Sequence, residues 1–273
     1  GVTCPRGIAI ALFGSCQLAG CPSIGYRSQD ITIERNRFYN VVVAPIRIQA
    51  QQNAEIRRIY IKNNWFGCSN PNDIYAENGN GSIAVDNDSA DRVKQIEIIG
   101  NTMCSGISGL GITQSGQVEN WGPGSKLIGN IVNRAGPPGV CDVTGDVQYA
   151  YNLIYPFNEF SSGGNYKCDP TEVLLPYNAN NFPNLITGPT WGTNMNLKLA
   201  NSSTPANNAW VTTSCTSLIT LDFDMESRPQ GSACDIGADE YTTGSPPVKP
   251  GDLNNDGSVN ILDLSILLSN YGK

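Results

Sequence analysis

The stretch IYIKNNWF, residues 59–66, decides the fold of this chain, because four other segments superimpose on it. These segments are ITIERNRF (31–38), IEIIGNTM (96–103), KLIGNIV (126–132) and VQYAYNLI (147–154). They share alternating apolar positions, two variable residues, one asparagine, any residue and a further apolar residue. The aligned asparagines are Asn36, Asn64, Asn101, Asn130 and Asn152, at intervals of 28, 37, 29 and 22 residues. The sequence therefore contains a fixed unit joined by loops of variable length.

Each unit has the pattern of a β-strand that leads into a tight turn. Apolar residues at every second position, such as Ile59 and Ile61, predict a strand with one buried face. Asparagine tolerates the left-handed backbone conformation that a tight turn requires, so we expect the aligned asparagine to adopt it. Further strand-like runs, PIRIQA, GSIAVDN and GLGITQ, lie between the units.

These features predict an all-β fold, and specifically a right-handed parallel β-helix. In such a solenoid each unit buries its apolar face only by stacking on the next unit. The stacked asparagine side chains would then form a hydrogen-bonded ladder along the axis. A β-sandwich in which the asparagines are spaced by chance is the alternative interpretation.

The chain is predicted to have four parts. Residues 1–159 contain the β-helix coils, and residues 160–241, rich in Asn, Ser, Pro and Gly, form an irregular end or capping region. The Pro-rich stretch TTGSPPVKP, residues 242–250, is predicted to be an extended linker. Residues 251–273 form a short C-terminal tail.

The composition excludes several classes of partner and chemistry. The formal net charge is −7 and no basic run supplies the charge that phosphate binding needs, so we expect no nucleic acid partner. No window is long and apolar enough to predict a membrane span. The chain has no histidine, which excludes histidine-dependent nucleophilic or metal chemistry.

The nine cysteines predict disulfide bonds and an oxidising compartment, because the paired C-x-x-C spacings of zinc sites are absent. We therefore expect an extracellular or cell-surface protein, exported with its signal peptide removed. The candidate disulfide pairs are Cys16 with Cys21, Cys68 with Cys104, and Cys215 with Cys234. Because nine is odd, at least one thiol is expected to be free or paired between chains.

The tail begins with GDLNNDGSVNILDL, residues 251–264, which has the spacing of an EF-hand-like calcium loop. The expected ligands, at loop positions one, three, five, seven, nine and twelve, are Asp252, Asn254, Asp256, Ser258, Asn260 and Asp263. Ser258 would contribute its backbone carbonyl, and the other ligands would contribute side-chain oxygens or a bridging water. Gly257 would make the turn in the middle of the loop. The sequence therefore predicts Ca²⁺ as the cofactor.

With an aspartate at the twelfth position, GDLNNDGSVNILDLSILLSNYG resembles one repeat of a type I dockerin. Dockerins are calcium-dependent modules through which bacteria attach secreted proteins to cohesin modules, and they carry two such repeats packed together. This sequence contains one. The resemblance implies a cohesin-like module as a possible partner, and the solitary repeat argues for a different acceptor.

A second resemblance lies upstream of the linker. The run LDFDMESRPQGSACDIGADEY, residues 221–241, is similar to the C-terminal signature of secreted bacterial β-helix proteins with a choice-of-anchor Q region. That resemblance implies export and a β-helix, and it implies no activity. We interpret Arg228, Asp235, Asp239 and Glu240 as a structural latch that closes the end of the solenoid.

The helix predicted after the calcium loop is apolar round most of its circumference. Its candidate interface residues are Val259, Leu262, Leu264, Ile266, Leu267, Leu268 and Tyr271. A helix of this kind is stable only when it is buried, so we expect it to dock on an acceptor. The favoured acceptor is another copy of the same chain.

Three functions are compatible with these features. The favoured one is an extracellular structural protein that assembles into a filament, tube or surface layer by docking its calcium-ordered tail on a neighbouring subunit. The second is a polysaccharide lyase or hydrolase attached to a cohesin scaffold, although no catalytic constellation is visible and no catalytic residue is predicted. The third is an adhesin that binds a glycan on an aromatic platform of Trp65, Tyr149, Tyr151 and Tyr155.

Overall fold

The computed structural model divides the chain into two compact units, residues 1–241 and residues 242–273. It describes residues 10–14, 27–39, 45–50, 54–68, 82–87, 92–104, 107–108, 111–112, 118–119, 122–132, 145–155, 167–176, 184–190, 192–242, 251, 259 and 261–270.

The described part of the first unit consists mainly of short strands. The strands are β1 (Ile10–Gly14), β2 (Arg27–Glu34), β3 (Arg37–Phe38), β4 (Ile46–Ala50), β5 (Glu55–Lys62), β6 (Trp65–Phe66), β7 (Ile83–Asn87), β8 (Val93–Ile99), β9 (Thr102–Met103), β10 (Ile107–Ser108), β11 (Gly111–Ile112), β12 (Val118–Glu119), β13 (Ser125–Ile128), β14 (Ile131–Val132), β15 (Val147–Ala150), β16 (Leu153–Ile154) and β17 (Val173–Leu174). A short helix, α1 (Thr212–Thr216), follows in this unit, and α2 (Ile261–Asn270) belongs to the second unit.

Three parallel sheets contain all of these strands except β11 and β12, which form an antiparallel pair. Sheet one has the order β1-β4-β7-β10, and sheet two has the order β2-β5-β8-β13-β15. Sheet three has the order β3-β6-β9-β14-β16-β17. From β1 to β9 the chain therefore passes through sheets one, two and three, in that order, three times.

The alignment of the five sequence segments is also the register in which their strands pair. Ile59 lies opposite Ile31 on β2 and Ile96 on β8. Trp65 on β6 likewise lies opposite Arg37 and Thr102. The predicted all-β class with parallel pairing of the units is thus confirmed.

The turn between sheets two and three differs from the prediction. The left-handed residue is the one immediately before each aligned asparagine: Arg35, Asn63, Gly100, Gly129 and Tyr151, with φ between 51° and 69°. The expectation that the aligned asparagine itself adopts this conformation was wrong. The asparagine side chain instead contributes its amide group to hydrogen bonds with neighbouring units.

The first core lies among the three sheets. It is built from the side chains at alternate positions of the strands, and Ile48, Ile59 and Ile98 are fully buried in it. Complete burial of one such side chain stabilises the fold by about 1.5–3 kcal/mol. The period-two pattern of the sequence is therefore the pattern of this core.

A second core forms where residues 184–242 pack against the outside of sheets two and three. Trp210 is fully buried there and lies so close to Gly129 that a Cβ on that glycine would be 2.2 Å from the indole ring. The backbone N–H of Gly237 donates to the carbonyl oxygen of Gly129 at 2.8 Å. This segment therefore contacts successive repeat units, from Asn63 in the second to Gly129 in the fourth.

The parallel pairing also continues beyond residue 159, where the sequence placed the last coil. Val173 and Leu174 of β17 pair with Leu153 and Ile154 of β16. The region that was predicted to be an irregular cap therefore begins with one more strand of sheet three.

Candidate functional site

The aligned asparagines form the predicted ladder. The Nδ2 atom of each one donates to the Oδ1 atom of the next asparagine at 3.0 Å, from Asn36 through Asn64, Asn101 and Asn130 to Asn152. The backbone N–H of each asparagine donates to the same Oδ1 atom at 2.9–3.0 Å. All members except Asn36 are fully buried. The prediction of a hydrogen-bonded ladder is confirmed.

The second amide hydrogen of each buried member is also satisfied. Asn101 Nδ2 donates to the carbonyl oxygens of Ile61 at 2.8 Å and Ile99 at 3.2 Å, and Asn64 and Asn130 make equivalent pairs of bonds. Unpaired buried amides would each cost about 1–3 kcal/mol. The asparagine at this position therefore supplies two N–H donors and a carbonyl acceptor, whereas a serine or threonine hydroxyl group has only one hydrogen to donate.

Glu172 ends the ladder, and the sequence analysis missed it. Its Oε1 atom accepts from Asn152 Nδ2 at 2.7 Å, and its Oε2 atom accepts from the backbone N–H of Cys168 at 2.6 Å. The side chain is 2% exposed. Two features of the sequence could have predicted this position. Glu172 is followed by two apolar residues, and it lies twenty residues after Asn152, close to the shortest interval of the repeat.

A buried ionic network organises residues 220–241. Arg228 lies 2.7 Å from Glu240 Oε1, and the exposed fractions of the two side chains are 0% and 1%. The same guanidinium donates to the carbonyl oxygens of Asp235 at 3.0 Å and Gly237 at 2.7 Å. It also reaches Asn63 Oδ1 at 3.4 Å, so it connects the flanking segment to the turn before Asn64.

The carboxylates of this network accept backbone N–H groups. Asp235 accepts from Asn208 and Tyr241, and Asp222 accepts from Asp224, Glu226 and Glu240. Asp239 accepts from Leu199 at 3.0 Å. Because each carboxylate fixes a loop, the geometry is that of a structural latch. The latch fastens residues 220–241 to the turn that precedes Asn64.

Burial raises the pKa of several of these carboxyl groups. The pKa of Glu240 is raised to about 7, mainly because burial penalises the charged form, while Arg228 acts in the opposite direction. Burial likewise raises the pKa of Asp222 and Asp235, and it raises that of Asp239 well above its usual range.

Two of the three candidate disulfide pairs are present. Cys68 and Cys104 are bonded with Cα atoms 4.9 Å apart, and Cys215 and Cys234 are bonded with Cα atoms 6.4 Å apart. Cys16 and Cys21 lie outside the described residues. Cys168 is also disulfide-bonded, although the sequence analysis gave it no partner.

Most of the predicted calcium loop lies outside the described residues. Asp252, Asn254, Asp256, Ser258 and Asn260 are among the positions that are not described. The sixth candidate ligand, Asp263, is 2% exposed in the first turn of α2. Among the described residues, no group of three or more Cys, Asp or Glu side chains is placed to hold a metal ion.

The apolar side chains of α2 and its start are mostly exposed. Their exposed fractions are 59% for Val259, 73% for Ile261, 57% for Leu262, 46% for Leu264, 53% for Leu267 and 65% for Leu268. Ile266 is half-buried, and Tyr271 lies outside the described residues. Of the part of this helix whose burial is described, only Asp263 is buried.

The proposed aromatic platform is not a surface feature. Trp65 and Tyr155 are each 1% exposed, and Tyr149 is 7% exposed. The Tyr155 hydroxyl donates to the carbonyl oxygens of Met103 and Cys104, so its polar atom is used internally. Only Tyr151 is half-buried, and the prediction of a glycan platform at these four residues was wrong.

A polar groove of about 400 Å³ lies elsewhere, between the outer face of sheet two and residues 216–221. Thr32 and Glu34 of β2, Tyr60 and Lys62 of β5, and Arg35 form one wall. The opposite wall is the loop that follows α1. No sequence pattern indicated this groove, because its two walls are separated by about 150 residues along the chain.

Comparison of the chain with family models, with curated proteins and with solved structures found no match to any of them. None of the helices in the described residues is long and apolar enough to cross a membrane.

Proposed function

We propose that this chain is an extracellular calcium-binding structural protein that self-assembles by docking its C-terminal tail on a neighbouring copy. In this proposal the first unit is a right-handed parallel β-helix, and the product of assembly is a filament, tube or surface layer.

The β-helix interpretation is supported by the order in which the chain visits its sheets. Three successive passes through sheets one, two and three, with every neighbouring strand parallel, are what a solenoid with three sheets per coil requires. The continuous ladder from Asn36 to Glu172 supports the same stacking of one coil on the next.

The observation that carries the assembly proposal is the exposure of α2. Leu262, Leu267 and Leu268 are each more than half exposed, on a helix that has no basic residue in its last turn and whose acidic residue is buried. Each such side chain stabilises a contact by about 1.5–3 kcal/mol when it becomes fully buried. An apolar surface of this kind favours association.

A second copy of the chain is the acceptor that we propose. A contact between the tail of one molecule and the body of the next joins two different surfaces, so it propagates whenever the rotation does not close a ring. Repetition of such a contact gives an extended assembly.

Calcium would act through the loop that precedes α2. When bound, the ion would supply a fixed positive centre for the oxygens of Asp252, Asn254, Asp256, Ser258, Asn260 and Asp263. Asp263 would hold the first turn of α2 to the loop and so orient the apolar side chains toward the acceptor. Calcium dependence of the assembly follows.

The proposal is tested by sedimentation and electron microscopy of the full chain with calcium and with EDTA. We expect large assemblies with calcium and monomers after chelation. Leu262→Asp and Leu268→Asp should abolish assembly, because each places a charge in the contact. Met225→Asp is the matched control, since Met225 is 64% exposed in the first unit and should be tolerated.

Two outcomes would contradict this function. A chain that is monomeric in both conditions does not self-assemble, and an assembly that survives EDTA does not depend on calcium. If a monomeric chain binds an added cohesin module, the acceptor of the tail is the cohesin and not a neighbouring copy. That result would also reject self-assembly.

A further inference from the structure

The groove on sheet two has the features of a ligand-binding site, and none of its lining residues belongs to the C-terminal tail. One wall is the outer face of a parallel sheet, where Thr32, Tyr60 and Glu97 lie side by side on β2, β5 and β8. Neighbouring strands are spaced about 4.8 Å apart, so this row presents a side chain at regular short intervals. An extended polymer of similar repeat can lie along such a row.

Both walls are fixed before any ligand arrives. Asn63 Nδ2 donates to the carbonyl oxygen of Leu221 at 2.7 Å, and the backbone N–H of Arg228 donates to that of Thr220 at 2.9 Å. The disulfide between Cys215 and Cys234 holds the start of the second wall. A preformed groove avoids the entropic cost of ordering its walls on binding.

The ammonium group of Lys62 lies in the groove and makes only long polar contacts with the described residues. Its Nζ atom lies 3.5 Å from the carbonyl oxygen of Leu218 and 3.6 Å from Glu97 Oε2. These distances exceed the 2.7–3.2 Å of ordinary hydrogen bonds, and no shorter acceptor is found among the described residues. A ligand hydroxyl group beside the ammonium can accept a hydrogen bond from Lys62 and donate its one hydrogen to the carbonyl oxygen of Leu218 or to Glu97.

The remaining lining favours an uncharged, hydroxylated ligand. Arg35 is paired with Glu34 at 2.8 Å, and Lys62 is flanked by Glu97, so neither cation is left to attract an anion. Thr32, Tyr60 and Thr220 place hydroxyl groups on both walls. The ring of Tyr60 lies 5.2 Å from Lys62 Nζ, so an aromatic face and a hydrogen-bond donor occupy neighbouring positions.

We propose that this groove binds a neutral oligosaccharide. The ring of Tyr60 packs against the face of one pyranose, and Lys62 donates hydrogen bonds to its hydroxyl groups. The polar residues of the opposite wall contact the other edge of the sugar chain. The protein then holds a neutral polysaccharide as well as its own copies.

Calorimetric titration of the full chain in EDTA tests this site separately from assembly. The probes are cellohexaose, xylohexaose, mannohexaose and chitohexaose, with trigalacturonate as the anionic comparison. We expect at least one neutral hexaose to bind, and Tyr60→Ala and Lys62→Ala each to weaken binding about tenfold through the loss of one contact. Tyr60→Phe keeps the ring and should retain most of the affinity.

Lys94→Ala is the matched control, because Lys94 lies on the same face of sheet two, outside the groove, and pairs with Glu55 at 3.3 Å. The proposal is overturned if no neutral hexaose binds, if trigalacturonate binds more tightly than all of them, or if Lys62→Ala and Lys94→Ala have equal effects. If an alanine variant does not fold, Lys62→Gln and Tyr60→Leu make the same comparison. If the chain binds no sugar yet assembles with calcium, the oligosaccharide site is rejected and the proposed function stands.

Discussion

At the scale of single residues, the ladder depends on groups that both donate and accept. Asn64, Asn101 and Asn130 each receive two hydrogen bonds on Oδ1 and give three from Nδ2. The repeated asparagine was sufficient to predict the ladder, because a stack of identical amides has one good arrangement. It was insufficient to predict the left-handed residue, which the neighbouring Arg35 and Tyr151 adopt despite having no special preference for it.

The ladder makes a stability prediction. Asn101→Asp keeps the acceptor but points a carboxylate at Asn130 Oδ1 and at the carbonyl oxygens of Ile61 and Ile99. We expect the free energy of unfolding to fall by about 3–5 kcal/mol, the usual cost of an uncompensated buried charge. Denaturant unfolding of the disulfide-intact protein measures it.

Asn36→Asp is the matched control for this change. Asn36 is exposed, and within the described residues its side chain donates only to Asn64 Oδ1 and the carbonyl oxygen of Glu34. We expect a loss of about 1 kcal/mol there, because water can solvate the new carboxylate. Equal losses at the two positions would contradict the importance of burial in the ladder.

The buried carboxylates predict how stability depends on pH. The pKa of Glu240 is about 7 in the folded chain and 4.5 in its ordinary state, so the folded chain binds the proton more tightly. The free energy of unfolding should therefore rise as the pH falls from about 7 toward 4.5, by at most about 1.4 kcal/mol per pH unit. Asp222 and Asp235 act in the same direction.

Denaturant unfolding at pH 8, 7, 6 and 5 tests this dependence. Glu240→Gln removes the titrating group, and we expect its stability to vary less with pH than that of the unchanged chain. Stability that stays level from pH 8 to pH 6 and begins to fall near pH 5 would mean that the pKa of Glu240 is lowered in the folded state. The attraction of Arg228, which faces Glu240, would then outweigh the effect of burial on the pKa of Glu240.

At the scale of elements, regular and irregular segments differ in how far the sequence predicts them. The strands that carry the repeat follow from alternating apolar residues, and their register follows from the asparagine. The flanking residues 184–242 have no such period, because they pack through single contacts such as that of Trp210 with Gly129. A contact between residues 81 positions apart leaves no local pattern in the sequence.

Gly129 tests the packing of this flanking segment. It has a φ of +69°, and a Cβ there would overlap the Trp210 ring, so Gly129→Ala combines backbone strain with a clash. We expect the free energy of unfolding to fall by about 3 kcal/mol, with altered tryptophan fluorescence as the segment shifts.

Gly145→Ala separates the two causes. Gly145 also has a positive φ, +82°, but a Cβ there would meet nothing within 4 Å. Its replacement should cost only about 1–2 kcal/mol, the strain of a left-handed alanine. If both variants lose the same stability, the contact with Trp210 contributes little.

At the scale of the whole molecule, the sequence indicated the nature of each part but not all of their positions. The parallel class and the bond between Cys68 and Cys104 could be predicted, since both depend on repeats that bring residues to equivalent places. The bond between Cys215 and Cys234 was predicted from their closeness in the sequence alone. The flank position of residues 184–242, the groove of sheet two and the burial of Trp65 could not, because they arise only when distant segments meet. The apolar character of α2 was visible in the sequence, and its exposure is what gives the tail a proposed role between molecules.

The direction of the ladder has an electrical consequence. Every side-chain amide from Asn36 to Asn152 points its positive end the same way, so their dipoles add along the stack as peptide dipoles add along a helix. The positive pole of the stack lies at Asn152, and the carboxylate of Glu172 lies 2.7 Å from it. Glu172 therefore serves this array as an acidic residue serves the first turn of a helix, and the body of the protein has two electrically different ends.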